Sequence, residues 1–164
     1  MVMIDLITGF LGSGKTTFLK KYAEYLMDQG LHIGILENDF GAINVDMLML
    51  HELRGDQCEL EMIAGGCDAE SHRRRFRTKL ISMRMCGYDR VLVEPSGIYD
   101  VDEFFDVLRE EPLDQWYEIG NVIAILDARL ENNLSQQADY LLASEAANAG
   151  KDPEPCGCSH QGTV

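Results

Sequence analysis

Residues Gly9-Phe10-Leu11-Gly12-Ser13-Gly14-Lys15-Thr16 have the form G-x-x-x-x-G-K-[ST]. No other stretch of the chain constrains its fold as much, because such a loop works only between a strand and a helix. Both flanks meet that demand. Met3-Ile4-Asp5-Leu6-Ile7 precedes it as a strand-like apolar run, and Leu19, Tyr22, Ala23 and Leu26 follow at helical spacing. Glycines let a backbone turn its N–H groups inward around a phosphate. The helix that follows adds its own N-terminal N–H groups and dipole. Gly9, Gly12, Ser13, Gly14, Lys15, Thr16 and Thr17 are therefore the candidate nucleotide contacts. Lys15 is the point charge for the β- and γ-phosphates, and the Thr16 hydroxyl is a ligand for Mg²⁺.

Strand and helix patterns alternate along the rest of the chain. The first helix is predicted over residues 14–29, stopping at Gly30 as helices commonly do. Strands are predicted at 32–36, 59–63, 90–93 and 121–126, with a long helix over 68–85 and a shorter one from a capping box at Asp100 and Glu103. This alternation implies an α/β fold with a mostly parallel sheet covered by helices on both faces. Right-handed crossovers then bring three polar loops to one edge: the glycine loop, residues 38–46 and residues 94–97. Residues 151–164, with two prolines and no periodicity, read as a disordered or foreign tail behind a domain spanning 1–150.

Charge narrows the partners. A formal net charge of −14 argues against nucleic acid and anionic membrane as partners through bulk attraction. No run reaches the about 18 apolar residues of a membrane span. Five cysteines show no disulfide spacing, which together with a nucleotide site points to the reducing cytoplasm.

Phosphoryl transfer needs positioning and charge stabilisation, and Mg²⁺ needs hard oxygen ligands. Glu94 closes an apolar strand, where a carboxylate meets such a cation, and Gly97 offers a backbone N–H to a γ-phosphate. Asp39 or Asp46 in the second polar loop can orient a water or join the Mg²⁺ shell. Cys67 is a candidate transition-metal ligand, with Cys58, Glu70 and His72 as neighbours in sequence, or else a buried thiol. Cys156-Gly157-Cys158-Ser159-His160 carries two thiols and an imidazole, or is an inert tail. The cluster His72-Arg73-Arg74-Arg75-Phe76-Arg77 is a solvated helix face or a docking patch for acidic groups. Trp116 and Tyr117 read as packing residues.

Taken in order, Ile7–Thr17, Glu37-Asn38-Asp39-Phe40-Gly41 with Asp46, Glu94-Pro95-Ser96-Gly97, Leu126-Asp127-Ala128 and Gln137-Ala138-Asp139 resemble the CobW/HypB/UreG-type GTPases of the SIMIBI class, CobW-like metallochaperones above all. The resemblance covers residues 1–143. It implies a P-loop NTPase three-layer sandwich and a Mg²⁺-dependent GTPase that couples GTP binding and hydrolysis to metal insertion into a client metalloprotein. It places Lys15 on the phosphates, Thr16 and Glu94 on Mg²⁺, Asp39 in the first switch loop and Gly97 in the second. It also implies Zn²⁺ or another transition metal as cargo and a GTP-linked homodimer.

Two departures qualify it. Where CobW-like members carry Cys-x-Cys-Cys, this chain has Gly66-Cys67-Asp68-Ala69, so only Cys67 fits. The Asn/Thr-Lys-x-Asp guanine motif is absent, and the pattern ends as in a truncated chain. Preference for GTP over ATP therefore rests on the resemblance alone. An ATP-dependent P-loop kinase and a non-catalytic nucleotide-binding module remain the other two readings.

Overall fold

The computed structural model describes residues 1–9, 12–39, 49–64, 69–95 and 101–126, together with 143 and 147. Five apolar runs become strands: β1 (Val2–Gly9), β2 (Ile33–Asp39), β3 (Cys58–Ala64), β4 (Arg90–Pro95) and β5 (Tyr117–Ile125). They form one sheet in the order β3-β2-β4-β1-β5, and every neighbouring pair is parallel. Parallel strands need crossover connections. These include α1 (Lys15–Asp28), α2 (Ala69–Arg84), α3 (Val101–Leu108) and the short α4 (Leu113–Trp116). No helix among the described residues is long and apolar enough to cross a membrane.

The pleat divides the core into two layers. Ile4, Leu6, Leu36, Val91 and Val93 pack against Phe76, Leu80 and Met83 of α2 and Val101, Phe104 and Val107 of α3. On the other face Ile7, Ile33, Ile35 and Leu92 meet Leu19, Ala23 and Leu26 of α1, with Leu50 and Leu53 closing the margin. Helix–sheet–helix layering is thus the three-layer α/β sandwich expected from the alternation.

The strand ends run past the apolar runs. β4 extends to Pro95 and β2 to Asp39, because parallel pairing continues through the polar residues. The largest difference is β5, which begins at Tyr117 rather than near residue 121. Its alternation is broken by a register shift. Ile4 pairs with Ile119 but Leu6 with Val122, so Gly120 and Asn121 stand opposite Asp5 alone. Two residues opposing one is a β-bulge. Trp116 packs against the α2–α3 core, and the buried Tyr117 donates its hydroxyl to the Leu80 carbonyl at 2.7 Å, as packing residues would.

Asp5 explains how that bulge is held. Its carboxylate is fully buried in β1, between β4 and β5. Oδ1 accepts the Asn121 backbone N–H at 2.7 Å, which satisfies a donor released by the bulge. Oδ2 accepts the Tyr22 hydroxyl and Arg90 Nη1, each at 2.8 Å. The Tyr22 oxygen in turn accepts from Asn121 Nδ2 and Arg90 Nη1, each at 3.0 Å. A buried charge is tolerated when it is paired and hydrogen-bonded in this way. Gly120 is required by the same contact, since a Cβ there would lie 2.2 Å from Oδ1. Gly120→Ala should lower the urea midpoint at unchanged slope, at a cost of about 2 kcal/mol from overpacking. Unchanged unfolding would show that the bulge relaxes freely.

Candidate functional site

Strand order makes the site. β1 and β4 lie side by side, yet the chain leaves β1 into α1 on one face and reaches α3 from β4 on the other. Neighbouring strands whose connections diverge open a crevice at their C-terminal ends, where α/β sheets bind ligands. Gly9 ends β1 at φ +143, and Gly12 and Gly14 follow at φ +79 and +95. Side chains rarely adopt such angles, and a Cβ on Gly9 would approach the Ile125 carbonyl oxygen to 2.3 Å. β5 thereby presses its end against the start of the loop.

α1 begins at Lys15 without a side-chain cap and with no acid in its first turn. An N-terminus of that kind presents its N–H groups and positive dipole end to an anion. Lys15 and Thr16 are buried although polar. The Ser13 hydroxyl oxygen is buried with no hydrogen-bond partner among the described residues. Thr17 lies exposed on the first turn.

Glu94 comes to this turn from β4. The Thr16 hydroxyl donates to Glu94 Oε1 at 3.0 Å, a contact between residues far apart in sequence and shielded from solvent. The spacing suits Mg²⁺. Two cis ligands of an octahedral ion with bonds of about 2.1 Å stand about 3 Å apart, and both groups are hard oxygens. Donor type and spacing therefore fit the ion.

Glu37 is the acid that sequence reading passed over. It is nearly fully buried, and its Cα pairs with that of Glu94 across β2 and β4. Ile33, Ile35 and Leu92 face α1, so Glu37 and Glu94 share that face by strand alternation. Its signal was a polar residue closing an apolar run. Only the placement of β4 beside β2 turns two such residues into neighbours.

Asp39 ends β2, with its Cα paired to Ala64. Gly97, Asp46, Cys67 and the segment 156–160 lie outside the described residues. Cys58, proposed beside Cys67, starts β3, about 20 Å along the strand from the end that leads toward Cys67. His72 is buried on α2, and burial, with Arg75 nearby, lowers its pKa. Among the described residues no group of three His, Cys, Asp or Glu side chains is placed to hold a metal. The basic cluster divides by face. Arg73 and Arg77 pair with Glu110 at 2.6 and 3.0 Å, tying α2 to the turn after α3, while Arg74 and Arg75 are exposed.

The family model "CobW/HypB/UreG, nucleotide-binding domain" matches residues 3–149. The zinc chaperone YeiR of Escherichia coli (strain K12) is 31% identical over 157 residues, covering 92% of this chain and 47% of its own. The zinc chaperone YjiA of the same organism is 32% identical over 139 residues, covering 77% and 41% respectively. The chain thus spans less than half the length of either. A solved structure of FtsY from Thermotoga maritima superposes with a TM-score of 0.55 at 16% identity, covering 89% of this chain and 48% of that one, a likeness of fold.

The two described thiols differ sharply. Burial, with Glu59 adding to it, pushes Cys58 up to about 11, whereas Cys86 is exposed. Iodoacetamide at mildly alkaline pH should modify Cys86 faster than Cys58 by about a hundredfold or more, because the thiolate is the reacting form. Peptide mapping after brief labelling reads this directly. Equal labelling of the folded protein would contradict the burial of β3.

Proposed function

Because the chain belongs to the CobW/HypB/UreG nucleotide-binding family, we propose that it is a Mg²⁺-dependent GTPase domain coupling nucleotide state to delivery of a transition metal. The observation that carries this reading is the buried contact of Thr16 with Glu94, beside the uncapped start of α1. The loop from Gly9 to Gly14 wraps the β- and γ-phosphates with its amides, and Lys15 neutralises their charge. Thr16 and Glu94 hold Mg²⁺, which when bound supplies positive charge to the phosphate oxygens as the terminal phosphoryl group leaves. Asp39, at the end of β2, orients the attacking water or joins the ion's shell through water. Gly97 brings a backbone N–H to the γ-phosphate. Glu37 sits one strand away on the same face of the sheet, its Cα paired with that of Glu94.

The names of the relatives support zinc as the metal carried and a metalloprotein as the client, and Cys67 is the proposed ligand on this chain. Coupling requires that metal and nucleotide alter each other's affinity by the same factor. A GTP-linked homodimer supplies a second way for the nucleotide state to be read.

Calorimetric titration with GTP, GDP and ATP in the presence of Mg²⁺ tests the core of this reading. GTP should bind more tightly than ATP, and Lys15→Ala should weaken GTP by roughly tenfold to a hundredfold, the worth of a charge-assisted contact. Equal affinity in Lys15→Ala would refute the loop assignment. Turnover no faster than solution hydrolysis would leave a non-catalytic binding module. Repeating the titration with Zn²⁺ tests coupling, and an unmoved GTP affinity would remove the carrier function.

A further inference from the structure

Helix α2 has two chemically different faces. Arg73 and Arg77 point to Glu110, and Arg77 also donates to the Glu111 carbonyl at 2.7 Å. The other face carries Arg74, Thr78 and Ser82 at successive four-residue steps, with Arg75 and Lys79 beside them. These five residues and Met62 and Ile63 of β3 enclose an open cavity of about 500 Å³. Three cations rim it, while the whole chain carries a net charge of −14. Lys79 is balanced by Glu61 at 2.7 Å. Arg74 is exposed and makes no side-chain hydrogen bond or ion pair among the described residues.

β3 adds a second property. Among the described residues it is the outer strand of the sheet, paired along its length with β2 and bridged on its outer side to Gly55 at Cys58. Alternate residues of such a strand turn their N–H and C=O groups outward, which is the template for an added strand. Met62 is 38% exposed there, so apolar surface lies open beside that edge. A cationic groove flanking an open strand edge matches one ligand chemistry: an extended peptide with acidic side chains at alternate positions. Its backbone pairs with β3, its carboxylates reach Arg74, Arg75 and Lys79, and its apolar side chains cover Met62.

We propose that the groove between β3 and α2 docks an extended acidic segment of a partner protein by strand addition. A second copy of this chain fits less well, because the alternating acids of its own β3, Glu59 and Glu61, are already engaged by Tyr88 and Lys79. Nucleic acid also fits less well, since it cannot complete a β ladder and the chain's overall charge repels it. The proposal is independent of the nucleotide site, which opens at the C-terminal ends of β1 and β4.

Fluorescence anisotropy with labelled decapeptides tests it. The probes alternate Glu with Val, alternate Lys with Val, or carry the Glu/Val sequence N-methylated at every second amide. The Glu/Val peptide should bind saturably and weaken with salt, and the Lys/Val peptide should not bind. Arg74→Glu, a change at an exposed side chain, should weaken binding by roughly tenfold. Arg74→Gln should weaken it less, and N-methylation should abolish it. Unchanged affinity in both Arg74 variants would overturn the site, as would equal binding of the Lys/Val peptide. Binding that survives N-methylation would overturn strand addition. Tighter binding of a single-stranded oligonucleotide would make the groove a nucleic-acid surface. Self-association abolished by Arg74→Glu in sedimentation would assign it to a second copy instead.

Discussion

The insertion of β4 between β1 and β2 is the constraint on which the remaining structure rests. Residues 91–95 of that strand are all buried. Val91 and Val93 go to the α2–α3 layer, and Leu92 goes to the α1 layer. Continuing the alternation by one more step places Glu94 on the α1 side. The same pairing that buries apolar surface therefore delivers a carboxylate to Thr16 on one side and to the level of Glu37 on the other. Site and core are one construction, and a slip of β4 by a single residue would turn Glu94 toward α2 and α3.

Much of this architecture was legible in the sequence. The glycine loop announced its strand and helix, and the alternation of patterns implied a parallel sheet with two helical layers. α1 and α2 fall within a residue or so of the expected ends because their apolar faces and terminal glycines are regular. Glu94 was legible because it closes an apolar run. Asp5 was not, because a lone acid inside such a run shows no partner in one dimension. Its partners Tyr22, Arg90 and Asn121 come from three different elements. The early start of β5 was hidden for the same reason, since a bulge resets the alternation that reveals a strand. Glu37 became visible only through strand order, which local pattern does not encode.

Charge is distributed with similar economy. The arginines of α2 look alike in sequence, but helical geometry sends some to Glu110 and others to the open groove. Structural and exposed cations thus alternate along one helix, and neither role can be read without knowing what lies against each face. The Asp5 hub is the counterpart in the interior. One carboxylate there ties a helix, a neighbouring strand and a bulge to β1.

The strand order also carries a consequence for biosynthesis. Met3 pairs with Arg90 and Val2 with Tyr117, so β1 finds both its neighbours in chain made much later. During translation Ile4 and Leu6 must wait uncovered until the helices of the α2–α3 layer emerge. Long-range pairing of this kind folds slowly and leaves sticky intermediates. A nascent chain of this design therefore keeps that apolar surface open until β4 and β5 arrive to enclose its first strand.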